Sequence, residues 1–531
     1  MNTTFRQSMQ GLHTWAGVLL GSLLFVIFWM GSLSVFDREI DRWMMPATRL
    51  AAPPAELALD RTVLPAAEQL VGRDATQWSV NLPTERAPML LLRWREGDVR
   101  HVHHVDPASG AVLAEAGTLG GTGFIFPFHF RLHLKWMDLG YWLVGLAAMS
   151  MLVLLVSGVV MHRKIFREFF TFRPAKRLPR ASLDLHNLAG VLALPFHFLI
   201  TLSGLLIFIG IYFPASHWGA YGQDSKAKDA YTAEANGRFT RPKLGEPGSL
   251  ASLDRMVAQA ESHWAGERAN YLRVWHPRDA ASYVEVRRSY ANEVTMNVDQ
   301  VYFDAASGVE LRRFEAAPVK NVQRFFTGLH FIQFDHWSLR WLYFLAGLSG
   351  CVMIATGFLF WLESRRARHA RHGLAGVRVV QALTVGSVTG TIAATFAFFI
   401  ANRLLGASAT LGSWDRAGTE MAVFYAVWVG CFVHAALVAR REPSLGWRQQ
   451  CMAVAVLALV AVAANGLTTG GHLLNTLSSG RPSDAAVAGV DLLLLVSAAL
   501  AAWTARRLAR SPSPAPSRIT PARRAGLGEL A

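Results

Sequence analysis

Residues 12–32, LHTWAGVLLGSLLFVIFWMGS, already indicate what kind of protein this is. After His13 the stretch contains no charged side chain, and about 20 apolar residues are enough for a helix to cross the hydrocarbon core of a bilayer. A second stretch, LHNLAGVLALPFHFLITLSGL at residues 185–205, has the same beginning and similar small residues near its end. The two stretches predict membrane-spanning helices that are copies of one another within one chain.

The composition indicates the same class. Hydrophobic residues make up 52% of the 531 positions and charged residues 17%, against roughly 25% charged residues in an average soluble domain. The net charge is +15, but the basic residues lie beside apolar segments, as in cytoplasmic loops, so we expect no nucleic-acid partner. All three cysteines lie in apolar stretches, which argues against a disulfide framework or a cysteine-ligated iron–sulfur cluster.

Eight apolar segments are long enough to be transmembrane helices. They cover residues 14–36, 138–161, 187–212, 339–362, 379–401, 419–439, 451–470 and 486–505. The segments after the second, fourth, sixth and eighth are rich in arginine and lysine, and such segments stay on the cytoplasmic side. We therefore expect a polytopic α-helical membrane protein with both termini in the cytoplasm.

Two large polar segments, 37–137 and 213–338, then lie outside. Each contains strand-like patches around an Asp-x-Ala-Ser-Gly sequence, at Asp106 and at Asp304, and these residues suit a tight hairpin turn. Two small α+β domains are expected. The predicted division is a first transmembrane helix at 1–36, outside domain 1 at 37–137, transmembrane helices 2 and 3 with a basic loop at 138–212, outside domain 2 at 213–338, transmembrane helix 4 at 339–362, a basic cytoplasmic loop at 363–378, transmembrane helices 5–8 at 379–505, and a disordered cytoplasmic tail at 506–531.

The first four spans form a unit of helix, outside domain and helix that is used twice. Both copies begin on the same side, so the repeats are parallel. Duplicated positions place His13 and His186 at the inner ends of their helices, and His133 and His330 at the outer ends. Histidine is costly within a membrane and usually marks a functional site there.

Paired imidazoles on facing helices can occupy both axial positions of a haem iron, which favours electron transfer. We therefore expect two b-type haems, the outer one held by His133 and His330 and the inner one by His13 and His186. No catalytic residue is expected apart from these ligands. The helices also carry small residues that leave room for a macrocycle or allow close helix packing, namely Gly17, Gly158, Gly190, Gly204 and Gly357.

Other histidines remain alternatives. His162 closes the second span, and His197 lies roughly 16 Å deeper than His186 at about 1.5 Å per residue; these two are the replacements if the pairing is wrong. His129 lies one helical turn before His133, on the same face if the helix continues that far. His101 and His103 share one face of a probable strand, where either a metal or solvent explains them.

Several motifs, weak singly and specific together, connect the chain to a known family. They are His13-Thr-Trp-Ala-Gly, Arg131-Leu-His133, Met161-His162-Arg-Lys-Ile-Phe with Phe169-Phe-Thr-Phe-Arg-Pro, Leu185-His186-Asn, Pro195-Phe-His197, and Leu329-His330 with Arg340-Trp-Leu-Tyr-Phe-Leu-Ala-Gly. Over about residues 8–365 the chain resembles the PepSY-associated transmembrane-helix proteins, often described as iron-regulated membrane proteins, which include siderophore–iron reductases of the bacterial inner membrane.

The resemblance implies two periplasmic PepSY-like domains and a di-haem core that reduces Fe(III) held by a siderophore or another chelate on the periplasmic side. The short inner loops leave no room for a nicotinamide or flavin domain, so the electrons would come from a quinone pool or a separate reductase. The chain departs from the compact four-helix form by its last four spans. These spans are expected to bind a quinone, dock a partner or support the core.

Two other classes compete with this interpretation. A regulatory or binding protein would use PepSY domains on a membrane anchor, but that function does not require repeated intramembrane histidines. A transporter is compatible with a parallel repeat, but the spans lack the acidic residues of a proton-coupled carrier, with Asp491 as the main exception.

Overall fold

The computed structural model describes residues 4–162, 171–174, 176–213, 215, 218–372 and 376–510. Part of the predicted basic loop, at 163–170, and the end of the predicted tail, at 511–531, lie outside these ranges.

Long apolar helices dominate the structure and confirm the prediction of a polytopic helical membrane protein. Seven of the described helices are long and apolar enough to span a bilayer, and one bent pair of helices makes an eighth span. The spanning helices are α1 (Phe5–Ser34), α5 (Leu139–Met161), the pair α6 (Leu178–Leu192) and α7 (Leu194–Ile207), α13 (Trp337–Arg371), α14 (Gly376–Leu404), α15 (Arg416–Val438), α16 (Leu445–Thr469) and α18 (Pro482–Arg510).

The remaining helices are shorter and lie between the spans. They are α2 (Asp37–Met44), α3 (Leu59–Leu70), α4 (Phe126–Arg131), α8 (Ile209–Tyr212), α9 (Trp218–Tyr221), α10 (Ser225–Asn236), α11 (Leu253–His263), α12 (Pro318–Phe331) and α17 (Leu473–Ser478). A π-helical turn, Gly121–Ile125, leads directly into α4. Of these, α4 and α12 position histidines and α3 and α11 cover a sheet.

The bend of 65° between α6 and α7 lies at Ala193. Pro195 follows in the first turn of α7, and proline has no N–H with which to continue the helical hydrogen bonds across the break. The bend buries His197 completely, with its Nε2 3.2 Å from the Ala346 carbonyl oxygen. The sequence predicts one span at 187–212, and the structure forms it from two helices that meet at this bend.

The two outside segments share one antiparallel sheet. Its strands are β1 (Gln77–Asn81), β2 (Leu90–Glu96), β3 (Val99–Val105), β4 (Ala269–Trp275), β5 (Tyr283–Arg288), β6 (Gln300–Asp304) and β7 (Glu310–Phe314), in the order β3-β2-β1-β4-β5-β6-β7. The sequence suggests two separate domains, but β1 pairs with β4 over its whole length and joins them. Five residues of ladder hydrogen bonds therefore connect the repeats outside the membrane.

The two Asp-x-Ala-Ser-Gly sequences form the same turn. Ser109 Oγ donates to the Asp106 carboxylate at 2.7 Å, and Ser307 Oγ donates to Asp304 at 2.9 Å. The glycine that ends each turn has a positive φ, 74° at Gly110 and 72° at Gly308, which glycine adopts without steric cost. The predicted hairpin chemistry is therefore present in both repeats.

The sheet has one apolar and one polar face because side chains alternate along each strand. The apolar face packs against α3 and α11 in a single core cluster, with Trp78, Leu92 and Val274 among its buried residues. The polar face is directed away from these helices, and it becomes important below.

Polar contacts attach the last four spans to the first half of the chain. Trp43 on α2 donates from Nε1 to Asp491 Oδ1 on α18 at 2.7 Å, and Asn465 on α16 donates to the other carboxyl oxygen at 3.2 Å. Trp43 and Asp491 are both fully buried. Asp491, the acidic residue noted in the sequence, therefore has a structural partner.

We expect Trp43→Phe to destabilise the protein by about 1–3 kcal/mol, since it leaves a buried carboxyl oxygen without its donor. Thermal unfolding of the purified protein, followed by loss of the monodisperse size-exclusion peak, measures the effect. Trp503→Phe is the matched control, because Trp503 is 57% exposed on α18. An equal loss of thermal stability in both variants would mean that replacing any tryptophan has this effect, and that the hydrogen bond to Asp491 does not cause it.

Candidate functional site

Two pairs of histidines face each other across the repeats. His13 on α1 and His186 on α6 have ring centroids 6.2 Å apart, with an angle of 89° between the ring planes. His129 on α4 and His330 on α12 have ring centroids 5.9 Å apart, with an angle of 28°. In each pair, one ring comes from the first repeat and one from the second. We call the first the lower pair and the second, nearer the sheet, the upper pair.

All four rings are held by the same contact within their own repeat. Each Nδ1 lies at hydrogen-bond distance from a backbone carbonyl oxygen of a neighbouring helix. The four bonds are His13 to Leu154 at 3.0 Å, His186 to Met353 at 2.7 Å, His129 to Ile27 at 2.9 Å and His330 to Ile200 at 2.8 Å. The repeat seen in the sequence is therefore also a repeat of side-chain positions.

This contact determines which ring nitrogen is available. A carbonyl oxygen only accepts hydrogen bonds, so Nδ1 must carry the proton and donate it, and Nε2 keeps a free lone pair. Across the described ranges, Nε2 of these four histidines has no hydrogen-bond partner. Metal-bound histidines have this arrangement, because the second-shell bond at one nitrogen fixes the orientation of the other.

A glycine lies under each ring, four residues after the carbonyl that the ring contacts. A Cβ atom would lie 2.7 Å from the His129 ring at Gly31 and 2.8 Å from the His330 ring at Gly204. The corresponding distance is 3.0 Å at Gly357 under His186 and 3.4 Å at Gly158 under His13. Three of the glycines noted in the sequence, Gly158, Gly204 and Gly357, therefore make room for imidazoles.

Each pair borders a cavity between the helices. The cavity at the lower pair has a volume of about 700 Å³ and is also lined by Gly17 and His162. The cavity at the upper pair is narrower, about 120 Å³. Leu24 and Met151 line both cavities, so the two sites adjoin inside the membrane region.

His133 does not face His330. Its ring stacks on Phe124 with centroids 4.9 Å apart, and Nε2 lies 2.8 Å from the Phe124 carbonyl oxygen. Helix α4 ends at Arg131, and Leu132 and His133 both have left-handed backbone angles, with φ of 51° and 53°. The chain therefore turns before His133, and the expected outer pair of His133 with His330 is replaced by His129 with His330.

A signal in the sequence identifies His129. Trp136 lies seven residues after His129, and Trp337 lies seven residues after His330. Each tryptophan lies where the next span begins, so aligning the repeats on the tryptophans matches His129 with His330. Aligning them on the Leu-His pairs, as the sequence first suggests, matches the wrong histidine.

The other predicted positions are distributed as follows. His162 follows α5 and lines the lower cavity without belonging to the facing pair. His197 contacts Ala346 and Phe28 instead of a second histidine. His101 and His103 both stack on Trp94, with centroids 4.8 and 5.2 Å apart. Among the described residues, no three or more His, Cys, Asp or Glu side chains form a group that could hold a metal ion.

The structure thus defines a class: a polytopic membrane protein in which two parallel repeats present paired imidazoles to each other under one shared sheet. The model of the PepSY-associated TM region matches residues 10–364. The chain therefore belongs to the PepSY-associated transmembrane family. It is also 30% identical over 394 residues, 70% of this chain and 92% of the relative, to the uncharacterized protein PA4219 of Pseudomonas aeruginosa.

Proposed function

We propose that this chain is a di-haem electron-transfer protein of the bacterial inner membrane that reduces chelated Fe(III) on the side bearing the sheet. The observation that carries the proposal is the fourfold contact in which Nδ1 donates to a carbonyl oxygen, while Nε2 has no hydrogen-bond partner among the described residues and the two rings of each pair lie about 6 Å apart. A structural histidine needs only one such bond. Two facing pairs with free Nε2 atoms suit an iron porphyrin, which takes one axial ligand from each side.

The ring separations fit this group. A metal between two imidazoles lies about 2 Å from each nitrogen, which puts the ring centroids roughly 6 Å apart. The observed separations are 6.2 and 5.9 Å. His13 and His186 would hold one haem b, and His129 and His330 the other.

The charge of the loops supports the orientation. Arg365, Arg366 and Arg368 lie in the last turns of α13, and Arg440 and Arg441 follow α15, on the side opposite the sheet. Basic loops remain in the cytoplasm, so the sheet would lie in the periplasm and both termini in the cytoplasm.

A bound haem supplies one-electron transfer. The paired histidines would hold the haem, and the mostly apolar lining of the upper cavity would keep water away from it. One electron from a quinol or a separate reductase would enter at the lower pair and leave at the upper pair. Fe(III) in the chelate gains that electron and becomes Fe(II), which hard oxygen donors hold less strongly, so the iron is released.

A reduced-minus-oxidised absorption spectrum of the protein, purified after haem-replete expression, tests the proposal. We expect the sharp bands of low-spin haem and about two haems per chain by pyridine haemochrome assay. Stopped-flow mixing of the reduced protein with ferric siderophores then measures its oxidation. A protein without haem bands would reject the proposal and favour a periplasmic binding or regulatory protein anchored by its helices.

We expect Gly204→Val to lower the haem content by about one per chain, because even a Cβ atom there lies 2.8 Å from the His330 ring and displaces it. Gly489→Val is the matched control, since a Cβ atom at this helical glycine meets nothing within 4 Å. Haem content per chain measures both. Full haem content in Gly204→Val would show that the position of the ring does not matter for binding.

A further inference from the structure

A third cavity, of about 760 Å³, lies between the polar face of the sheet and the chain before and within α12. Seven arginines line it, and within the described ranges no aspartate or glutamate does. Three of the arginines, Arg93, Arg95 and Arg100, come from β2 and β3. The cavity is therefore strongly positive.

The arginines are only partly neutralised. Glu285 is buried on the same face of the sheet and forms ion pairs with two of them, Arg287 at 2.5 Å and Arg273 at 3.9 Å. Arg288 contacts Asp299 at 3.1 Å and Glu293 at 3.2 Å. In the described part of the chain, the other four lining arginines make no salt bridge with a carboxylate.

Two of these four arginines repel each other. Arg95 on β2 lies directly opposite Arg100 on β3 in the strand register, and like charges in opposite positions destabilise a sheet. Arg93 is open to the cavity, yet partial desolvation by the surrounding protein lowers its pKa, and the guanidinium of Arg38 lowers it further. A bound anion would relieve this repulsion.

The walls also contain groups that orient planar anions. The guanidinium carbons of Arg273 and Arg287 lie 5.1 and 5.0 Å from the centroid of the Tyr271 ring, so both side chains are held against one aromatic surface. Asn81 and Asn297 also line the cavity. Guanidinium groups bind carboxylates through two parallel hydrogen bonds, so several carboxylates on one molecule fit this lining.

The cavity lies close to the upper histidine pair. Arg324 on α12 lines the cavity and donates from Nε to the Met296 carbonyl oxygen at 2.5 Å. His330 lies six residues further along the same helix, roughly 9 Å at about 1.5 Å per residue. A side chain at Gly328 would collide with the Val294 carbonyl, so α12 is in direct contact with the segment that forms the cavity wall.

We propose that this arginine cavity is the substrate site and that it selects anionic Fe(III) chelates bearing carboxylates over neutral or cationic chelates. The electron-transfer step rests on the proposed function, whereas the binding step does not. The reduction transfers one electron to Fe(III), and no bond of the protein is made or broken. The lining combines strand side chains with residues of α12 and of the chain before it, and its polar character suits a compact soluble anion.

Gallium(III) citrate is the probe, because gallium(III) imitates iron(III) but is not reduced, so binding is measured without electron transfer. Isothermal titration of the full-length protein in phosphatidylcholine nanodiscs should show binding that weakens with added salt. The Arg95→Gln, Arg100→Gln double variant should bind about tenfold more weakly or worse. It leaves no carboxylate unpaired, so it should fold. The matched control is Arg61→Gln, Arg255→Gln on the exposed helices that cover the other face of the sheet.

Each outcome of these titrations supports or overturns the proposed substrate site. Absence of gallium citrate binding, equal affinity in both double variants, or equal affinity for a neutral gallium trihydroxamate would overturn the proposal. Binding in phosphatidylcholine that is abolished in phosphatidylglycerol nanodiscs would assign the cavity to a lipid headgroup and overturn it too. The haem spectrum of the same samples reports the proposed function separately. Wild-type protein with haem but without binding rejects the cavity alone, and protein with binding but without haem rejects the redox function alone.

Discussion

The His129→Ala variant is expected to lose about one haem per chain, whereas His133→Ala should retain both. In the structure, the Nε2 atom of His129 is free and its ring faces His330 at 5.9 Å. The Nε2 atom of His133 is occupied by the Phe124 carbonyl. If this pair holds a haem as proposed, removing one of its two imidazoles would leave the iron with an incomplete ligand set, so loss of that haem is the expected result.

Haem per chain, measured on folded, monodisperse protein, is the readout, and His330→Ala should give the same value as His129→Ala. The His129→Ala, His330→Ala double variant should lose no more than either single variant, because both residues hold the same group. Loss of haem in His133→Ala with full haem content in His129→Ala would contradict the upper pair and restore the pairing first suggested by the sequence.

The membrane architecture could be predicted from the sequence because each span has a local signal. An apolar run of sufficient length is recognised without knowledge of its neighbours, and all eight expected spans correspond to helices or to the bent pair. The lower pair was also accessible, since His13 and His186 occupy matching positions in two similar stretches. In both stretches, the carbonyl oxygen that accepts a hydrogen bond from a histidine of the upper pair lies 14 residues after the histidine of the lower pair, at Ile27 and at Ile200.

The upper pair could not be predicted from the spacing of histidines along a helix, because α4 is short. A continuous α4 would present His129 and His133 on one face, but the left-handed angles at Leu132 and His133 separate them. Leucine rarely adopts a positive φ, and although histidine does so more often than most residues, a positive φ is still uncommon for it, so the types of these two residues do not predict the turn. The outcome depends on packing against Phe124, a tertiary contact.

The shared sheet and its arginine cavity are likewise tertiary features. Arg93 and Arg273 belong to segments about 180 residues apart, and only the pairing of β1 with β4 brings them to one surface. Alternation along each strand places Arg93 with Arg95 on one face of β2 and Arg273 with Tyr271 on one face of β4. It did not show that the two faces are continuous, and this continuity creates the charge of the cavity.

The His186→Ala variant is expected to slow electron transfer across the membrane strongly while retaining the upper haem. On α1, His13 lies 14 residues before Ile27, the residue whose carbonyl contacts His129, and this is roughly 21 Å at about 1.5 Å per residue. An electron that lacks the lower site must therefore cross most of the apolar region in one step. Liposomes that contain the protein and trapped ferricyanide, with dithionite added outside, measure the rate. We expect a decrease of about tenfold or more.

His434→Ala is the matched control, because His434 on α15 contacts Gln449 at 2.9 Å and Gln450 at 3.2 Å, away from both pairs. It should keep two haems and the wild-type rate. In the proposed path the two pairs act in series, so His129→Ala should reduce the rate to the same background, and the His129→Ala, His186→Ala double variant should be no slower than either. Additive losses would mean that each pair carries electrons by a separate route, and a wild-type rate in His186→Ala would remove the lower pair from the path.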